Sequence, residues 1–310
     1  MLEIFIPYKY KKWSTLIGGF LIHLSLGSYY TFGNISPYLT SYLREYEGLD
    51  VRYSQATYIL NSFGIFFSLS SIISGFINSK LNVNIRYNIL IGCLIMNFGI
   101  GITFLTIKKS LALVLASYGV IYGIGAGCAY LGPLSMAMKW FPGKKGFSNS
   151  VILFGYGASA SIFDQIQTLY INPKNYSPDK PYSKDFPNEK YFSRIHLDLL
   201  ERVPKVFLIM TSICAMLQLI GFCLLSDPTR YRQNMSLNDD QSDLITDQVD
   251  IPEEKNSLGV NYQAPDDGLT LSQALKTKHC DDSCNHSASH HYLLESETLF
   301  TLSNGTILLP

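Results

Sequence analysis

Long stretches without charged residues dominate the first 226 positions of this chain. A helix needs roughly 20 mostly apolar residues to cross the hydrocarbon core of a bilayer. Five of the stretches contain no Lys, Arg, Asp or Glu, and a sixth contains a single acid, Asp164. We therefore predict an all-α integral membrane protein with six transmembrane helices. The predicted helices cover residues 14–40, 54–77, 87–107, 111–136, 147–170 and 205–226.

Charge divides the chain into a basic membrane part and an acidic tail. Residues 1–226 carry 19 Lys and Arg against 10 Asp and Glu, whereas residues 227–310 carry 5 against 14. An acidic tail on a membrane domain argues against a nucleic-acid binder. We predict a six-helix bundle over 1–226 with a long external loop at 171–204, an acidic flexible linker over 227–268, a short amphipathic helix over 269–278 and a divergent, mostly disordered tail over 279–310.

Basic residues in the short loops predict the orientation in the membrane, because cytosolic loops carry an excess of Lys and Arg. Eight of these residues fall on the side of the amino terminus and four on the other side. We therefore predict that the amino terminus and the tail are cytosolic. We also predict the plasma membrane rather than an organelle membrane.

Polar and aromatic residues recur at helical spacing inside the predicted spans. Polar groups are costly in lipid, so such faces turn toward a bundle interior or a cavity. Gly and Ser on the same faces can instead serve close packing of helices. The side chains that we predict to line a substrate cavity are Tyr29, Tyr30, Asn34, Asn61, Tyr130 and Tyr156.

Two ionisable residues inside the spans, His23 and Asp164, are candidates for proton or ion coupling. The alternative for His23 is a hydrogen-bonded packing residue, and the alternative for Asp164 is an acid that reaches water at a helix end. An intramembrane hydrolase needs paired catalytic groups, but these two lie on different helices near opposite ends. We predict no enzyme activity, no catalytic residue and no cofactor.

The stretch from Tyr118 to Ala160 carries the most specific pattern. A Gly-rich helix ends in Tyr130-Leu-Gly-Pro, and Lys139-Trp-Phe-Pro follows with a pair of lysines. This pattern resembles the helix 4 to helix 5 signature of the major facilitator superfamily. Within it, the pattern is similar to the oxalate/formate antiporter branch, a neighbour of the monocarboxylate transporters. Helix 1 agrees through Gly27-Ser-Tyr-Tyr and a later Ser-Pro, and the resemblance covers about residues 13–278.

The resemblance implies one six-helix half of a twelve-helix carrier that holds its substrate between two halves near the membrane midplane. It implies secondary transport of a small organic anion, a mono- or dicarboxylate, by alternating access. It also implies gating roles for two loops. The gating residues are Gly75 and Asn78, where Asn78 stands near the family's usual acid, and Lys139, Lys144 and Lys145.

The resemblance stops at Lys278, where the chain turns to His279-Cys-Asp-Asp-Ser-Cys-Asn-His. We expect a truncated or alternatively spliced half-carrier, with unselected sequence after that point. Thiolate and imidazole suit zinc, but the spacing matches no zinc module, so we predict no metal site. The family's cation for the carboxylate comes from the second half. We therefore expect the partners to be the lipid bilayer, a small organic anion and either a second half-carrier or a full-length carrier. The alternative is a non-transporting protein that modulates a full-length carrier.

Overall fold

The uncharged stretches form long helices, because a backbone in hydrocarbon must satisfy its own polar groups. The computed structural model describes residues 7–80, 84–184 and 186–228. The α-helices are α1 Tyr8–Leu26, α2 Phe32–Glu45, α3 Tyr53–Lys80, α4 Ile85–Thr106, α5 Leu111–Val114, α6 Tyr122–Trp140, α7 Lys145–Ile171, α8 Leu197–Leu200 and α9 Arg202–Leu224. Shorter elements are 3₁₀ turns at Gly27–Thr31, Pro142–Lys144 and Arg194–His196, a π-helical segment at Leu115–Ile121, and strands β1 Lys180–Ser183 and β2 Phe186–Tyr191.

Four of the helical segments are long and apolar enough to cross a membrane. They are Tyr53–Lys80, Ile85–Thr106, Leu111–Trp140 and Arg194–Leu224. The other two predicted spans correspond to the α1–α2 segment and to α7. The first begins with several lysines, and the second contains Asp164 between Gln and Ser residues. Six spans therefore stay a prediction, whereas a helical protein with four candidate spans is what the structure shows.

The first predicted helix is longer than expected and is interrupted. It extends beyond residues 14–40 at both ends, and the 3₁₀ turn Gly27–Thr31 separates α1 from α2. A Cβ atom on Gly27 would lie 2.2 Å from the carbonyl oxygen of Tyr156, so this turn rests directly on the backbone of α7. A 3₁₀ turn in the middle of a helix often marks a functional hinge.

Two helices connect most of the bundle: α1 packs against α6, α7 and α9, and α6 also packs against α3, α4 and α7. α4 in turn packs against α9. Glycines permit this close approach: a Cβ on Gly125 would lie 2.2 Å from the backbone nitrogen of Met96. A Cβ on Gly18 would lie 2.6 Å from the carbonyl oxygen of Gly221. Small residues thus set the spacing between helices, as is common in membrane bundles.

A β-hairpin lies in the stretch 171–204, which the sequence predicts only as a loop. Its strands are antiparallel and pair Lys180 with Tyr191 and Ser183 with Phe186. The hairpin is tied to the turn between α2 and α3, where Arg52 binds Glu189 at 2.7 Å. The strands are short and mostly polar, so their pattern does not separate them from a loop.

The predicted regions that follow α9 fall mostly outside the described residues. These are the acidic linker after Pro228, the amphipathic helix 269–278 and the segment 279–310 with its His and Cys residues. They stay predictions.

Candidate functional site

The 3₁₀ turn between α1 and α2 presents one tyrosine outward and buries the next one. Tyr30 is 56% exposed, whereas Tyr29 is 7% exposed. The Tyr29 hydroxyl donates to the carbonyl oxygen of Leu60 at 2.6 Å, and its ring stacks on Phe63. Of this predicted pair, only Tyr30 is open to a ligand, while Tyr29 joins the turn to α3.

Three of the predicted cavity residues come together from three parts of the bundle. Tyr30 lies 5.2 Å from Tyr156 of α7, and Tyr156 lies 5.5 Å from Tyr130 of α6, measured between ring centroids. Both pairs meet edge to face, a favoured geometry for aromatic rings. Phe67 of α3 packs edge to face on Tyr130 at 5.3 Å. We call Tyr30, Tyr130 and Tyr156 the tyrosine cluster.

His23 lies directly behind the tyrosine cluster and is fully buried. Its ring centroid is 5.1 Å from that of Tyr130 and 6.2 Å from that of Tyr156. Nδ1 lies 3.2 Å from the carbonyl oxygen of Gly19, and Nε2 has no hydrogen-bond partner in the described part of the chain. His23 thus fixes the two rings by packing and keeps one free ring nitrogen.

A second group of polar side chains joins α2 to α7, one turn or more from the tyrosines. Asn34 Nδ2 lies within hydrogen-bond distance of Thr168 Oγ1 at 3.2 Å, Gln167 Oε1 at 3.3 Å and the carbonyl oxygen of Asp164 at 3.4 Å. The carboxylate atom Asp164 Oδ1 is buried and has no hydrogen-bond partner among the described residues. Asn34 therefore belongs to an interhelical contact, and Asp164 keeps an unsatisfied oxygen beside it.

Gln167 is a site residue that the sequence analysis missed. It is fully buried, and its Nε2 donates to Thr31 Oγ1 at 2.7 Å. It therefore ties α7 to the 3₁₀ turn that carries Tyr30. Gln167 follows Asp164 by three residues, so both lie on one face of α7. This spacing could have identified Gln167 from the sequence.

Asn61 is exposed on α3 and makes no hydrogen bond to the tyrosine cluster in the described part of the chain. Its neighbour Leu60 instead receives the hydroxyl of Tyr29. The geometry thus brings together three of the six predicted cavity residues and distributes the other three over helix contacts and an exposed face.

The predicted gating residues lie at one end of the bundle. Asn78 Oδ1 accepts a hydrogen bond from Asn88 Nδ2 at 2.8 Å, and Asn88 Nδ2 also lies 3.1 Å from Ser74 Oγ. Asn88, which the sequence analysis did not single out, therefore links α4 to the end of α3. A Cβ on Gly75 would lie 3.3 Å from Leu131 Cδ1, so α3 passes close to α6 there.

The three gating lysines surround the turn between α6 and α7. Lys139 forms an ion pair with Asp227 at 3.3 Å. Lys144 and Lys145 are exposed and make no ion pair within the described residues. A gating role for the three lysines stays a prediction.

No family model matches this chain. The chain is 27% identical over 259 residues to apicoplast pyruvate carrier 1 of Toxoplasma gondii, covering 71% of this chain and 47% of that protein. It is 24% identical over 254 residues to apicoplast pyruvate carrier 2 of the same organism, covering 72% and 38%. It is 29% identical over 161 residues to YhjX, an uncharacterized MFS-type transporter of Escherichia coli, covering 52% and 38%.

The chain spans about half or less of the length of these relatives. All three are carriers or transporters, and none is named for an enzyme. Together with the four apolar helices, they support a multi-pass membrane protein related to transporters. The oxalate/formate branch is not confirmed by these similarities.

Proposed function

We propose that this chain is one half of a secondary transporter for a small monocarboxylate of the pyruvate class, working by alternating access. In this proposal α1–α2, α3, α4, α5–α6, α7 and α9 are six membrane spans, and a second half completes the carrier. Two relatives are named as pyruvate carriers, which supports this substrate class. The single observation that carries the proposal is the tyrosine cluster, in which the buried 3₁₀ turn exposes Tyr30 beside Tyr156.

The tyrosine cluster has the chemistry that a small planar carboxylate needs. Each phenol hydroxyl can donate one hydrogen bond to a carboxylate oxygen. The ring edges of Tyr130 and Tyr156 form an apolar wall for the methyl group and the planar carbonyl of such a substrate. Polar side chains within a membrane mark substrate paths, and Tyr30 is the exposed member of this cluster.

The cation for the substrate has to come from outside the cluster. In the described residues, Lys and Arg lie near the ends of the helices, away from Tyr30, Tyr130 and Tyr156. A carboxylate removed from water needs a positive partner to offset its desolvation. In our proposal the second half supplies this cation.

Asp164 is our candidate for proton coupling. Its Oδ1 atom is buried without a hydrogen-bond partner in the described part of the chain, an arrangement that suits a protonated or transiently protonated carboxyl. It lies on the face of α7 that also carries Gln167, which holds the 3₁₀ turn. Protonation of Asp164 can therefore change the position of Tyr30 through Gln167 and the 3₁₀ turn. His23 packs behind the rings of Tyr130 and Tyr156.

The proposed test is uptake of radiolabelled pyruvate into vesicles that contain this chain together with a second half-carrier, for which the part of apicoplast pyruvate carrier 1 that this chain does not match can serve. We expect saturable uptake, lost in Tyr130→Ala and retained in Tyr87→Ala. Tyr87 is a matched control because it is an exposed tyrosine on α4, outside the cluster. Saturable uptake that survives Tyr130→Ala unchanged would contradict the role of the cluster.

A second candidate function is that of a non-transporting protein that associates with a full-length carrier. The position of Lys and Arg near the helix ends favours it, because in the described residues no cation lies beside the tyrosine cluster. This function predicts no uptake by the chain together with that second half, but a changed uptake rate when the chain is expressed with a full-length carrier. The same vesicle assay separates the two candidates. Orientation and the plasma-membrane location stay predictions that a surface-labelling experiment would test.

A further inference from the structure

One end of the bundle collects lysines and aromatic rings from three separate parts of the chain. We call it the basic end and define it as residues 8–13, 139–147 and 225–227. Ring contacts hold these parts together: Tyr8 lies 5.6 Å from Trp140, and Trp13 lies 5.6 Å from Phe141, centroid to centroid. Trp140 Nε1 also donates to the carbonyl oxygen of Ser226 at 2.7 Å.

The basic end carries a strong excess of positive charge. Within its described residues one acid, Asp227, faces six lysines, and that acid is bound to Lys139. Four of the lysines are exposed and form no ion pair in the described part of the chain. These four are Lys9, Lys12, Lys144 and Lys145. Such a cluster repels itself and attracts a multivalent or extended anionic partner.

Exposed aromatic rings alternate with these lysines. Tyr10 is 54% exposed, Trp13 is 47% exposed and Phe147 is 49% exposed. The ammonium group of Lys12 lies 5.7 Å from the Trp13 ring centroid, so charge and ring share one surface. Tyr and Trp are enriched where one part of a side chain meets hydrocarbon and another meets water. A water-soluble anion would leave these rings exposed, whereas a lipid surface would cover them.

We propose that the basic end binds anionic phospholipid headgroups, with the four exposed lysines on the phosphates and the exposed rings at the boundary between headgroups and acyl chains. The occupant follows from charge complementarity together with exposed rings at the ends of membrane helices. Lysine suits this role as a mobile point charge for phosphate. The inference requires only that the chain lies in a membrane, so it is independent of any transport activity.

The chain provides its own reporter for this proposal. Its two tryptophans are Trp13 and Trp140, and both lie at the basic end. The full chain would be reconstituted in vesicles of phosphatidylcholine and phosphatidylglycerol. A nitroxide placed near the headgroup of one lipid or the other then quenches tryptophan fluorescence on contact. We expect stronger quenching by labelled phosphatidylglycerol than by labelled phosphatidylcholine, with a difference that shrinks as salt rises.

The test variant combines Lys9→Gln, Lys12→Gln, Lys144→Gln and Lys145→Gln. Each lysine near an anionic surface contributes about fivefold to binding, so the preference for phosphatidylglycerol should fall to near one. The control variant removes the same charge from exposed lysines at the opposite end: Lys109→Gln, Lys174→Gln, Lys184→Gln and Lys190→Gln. The control should keep the wild-type preference. Circular dichroism would verify that both variants remain helical.

Three outcomes would overturn the proposal. One is equal quenching by the two lipids in the wild type. Another is an equal loss of preference in the test and control variants. The third is a preference that emerges only after Asp239→Asn and Asp240→Asn, because the chain's own acidic segment would then be the occupant. None of these outcomes depends on pyruvate uptake, so they are distinct from a failure of the proposed transport.

Discussion

Several acids and bases at one end of the helix bundle form ion pairs across long sequence distances, whereas at the other end most lysines face outward. At the first end, which we call the capped end, the β-hairpin brings Glu189 to Arg52 and Lys180 to Glu45. The Arg52 guanidinium also lies 4.3 Å from the ring centroid of Phe186. At the basic end, the short turn between α6 and α7 brings Lys144 and Lys145 to the side that already carries the lysines of residues 8–13.

The difference shows how loop length decides where a protein finds its counter-charges. The connection between α7 and α9 is long enough to fold a hairpin over the capped end, so acids and bases from distant positions meet. The turn Pro142–Lys144 is too short to bring an acid to its neighbours. The capped end therefore pairs several of its charges within the chain, while four exposed lysines of the basic end have no ion pair among the described residues.

The largest effect on stability is expected for a substitution at the contact between α4 and α6, because both ends of the bundle depend on these helices. Gly125→Leu would place a Cβ atom 2.2 Å from the backbone nitrogen of Met96 and 2.7 Å from the carbonyl oxygen of Gly92. Because these are backbone atoms, α4 and α6 must separate, at a cost of about 4 kcal/mol or more. Thermal unfolding in detergent, followed by circular dichroism, would measure the loss.

The matched control for that change is Gly64→Ala on α3, where an added Cβ meets nothing within 4 Å. It should leave the unfolding midpoint unchanged or raise it slightly, since alanine favours a helix. Equal stability of the two variants would mean that the close contact of α4 and α6 does not hold the ends together.

An intermediate effect is expected at the capped end when the pH falls. The Arg52 guanidinium, which donates hydrogen bonds to Glu189, lowers the pKa of that carboxyl below its usual range. Burial raises the pKa of Asp179, but hydrogen bonds from Ser193 outweigh it and the net shift is downward. A lowered pKa means that the stabilisation is complete above the unfolded-state pKa, about 4.3 for Glu, and is lost as the pH falls through the folded-state value.

The measurement is the unfolding midpoint of the wild type and of Glu189→Gln between about pH 3 and pH 7. We expect the wild type to lose its advantage over Glu189→Gln at the acid end of that range. At neutral pH, trypsin should cut the Glu189→Gln variant after Lys184 roughly tenfold faster than the wild type, because the Arg52 guanidinium loses its charged hydrogen-bond acceptor. If the unfolding midpoints of the wild type and Glu189→Gln differed by the same amount at every pH, titration of Glu189 would not control the stability of the capped end.

The smallest effect is expected for the ion pair between Lys139 and Asp227 at the basic end. Lys139 is about half exposed, and its distance to Asp227 is 3.3 Å. Exposed pairs of this kind contribute at most about 1 kcal/mol. Lys139→Gln should therefore barely change the unfolding midpoint at neutral pH. A loss as large as that of Glu189→Gln would remove the contrast between the two ends.

Much of the local structure follows from the order of residues alone. Long uncharged runs have to be helical in a membrane, because no water is present to bind an open backbone, and four of them meet the length and hydropathy needed to span it. Helical spacing also predicted that Tyr30 and Tyr130 lie on the polar faces of their helices. It could not separate Tyr29 from Tyr30, which are adjacent in one 3₁₀ turn.

Tertiary contacts decided which of these residues meet and which remain open. Periodicity states that residues share a face of a helix, but it does not state which neighbouring helix that face touches. Tyr29 is buried because Phe63 lies under its ring, and Gln167 matters because the turn of Thr31 lies beside it. The hairpin distinguishes the capped end from the basic end, and it likewise depends on partners more than 100 positions away, such as Arg52 for Glu189. A local sequence pattern does not contain such distant contacts.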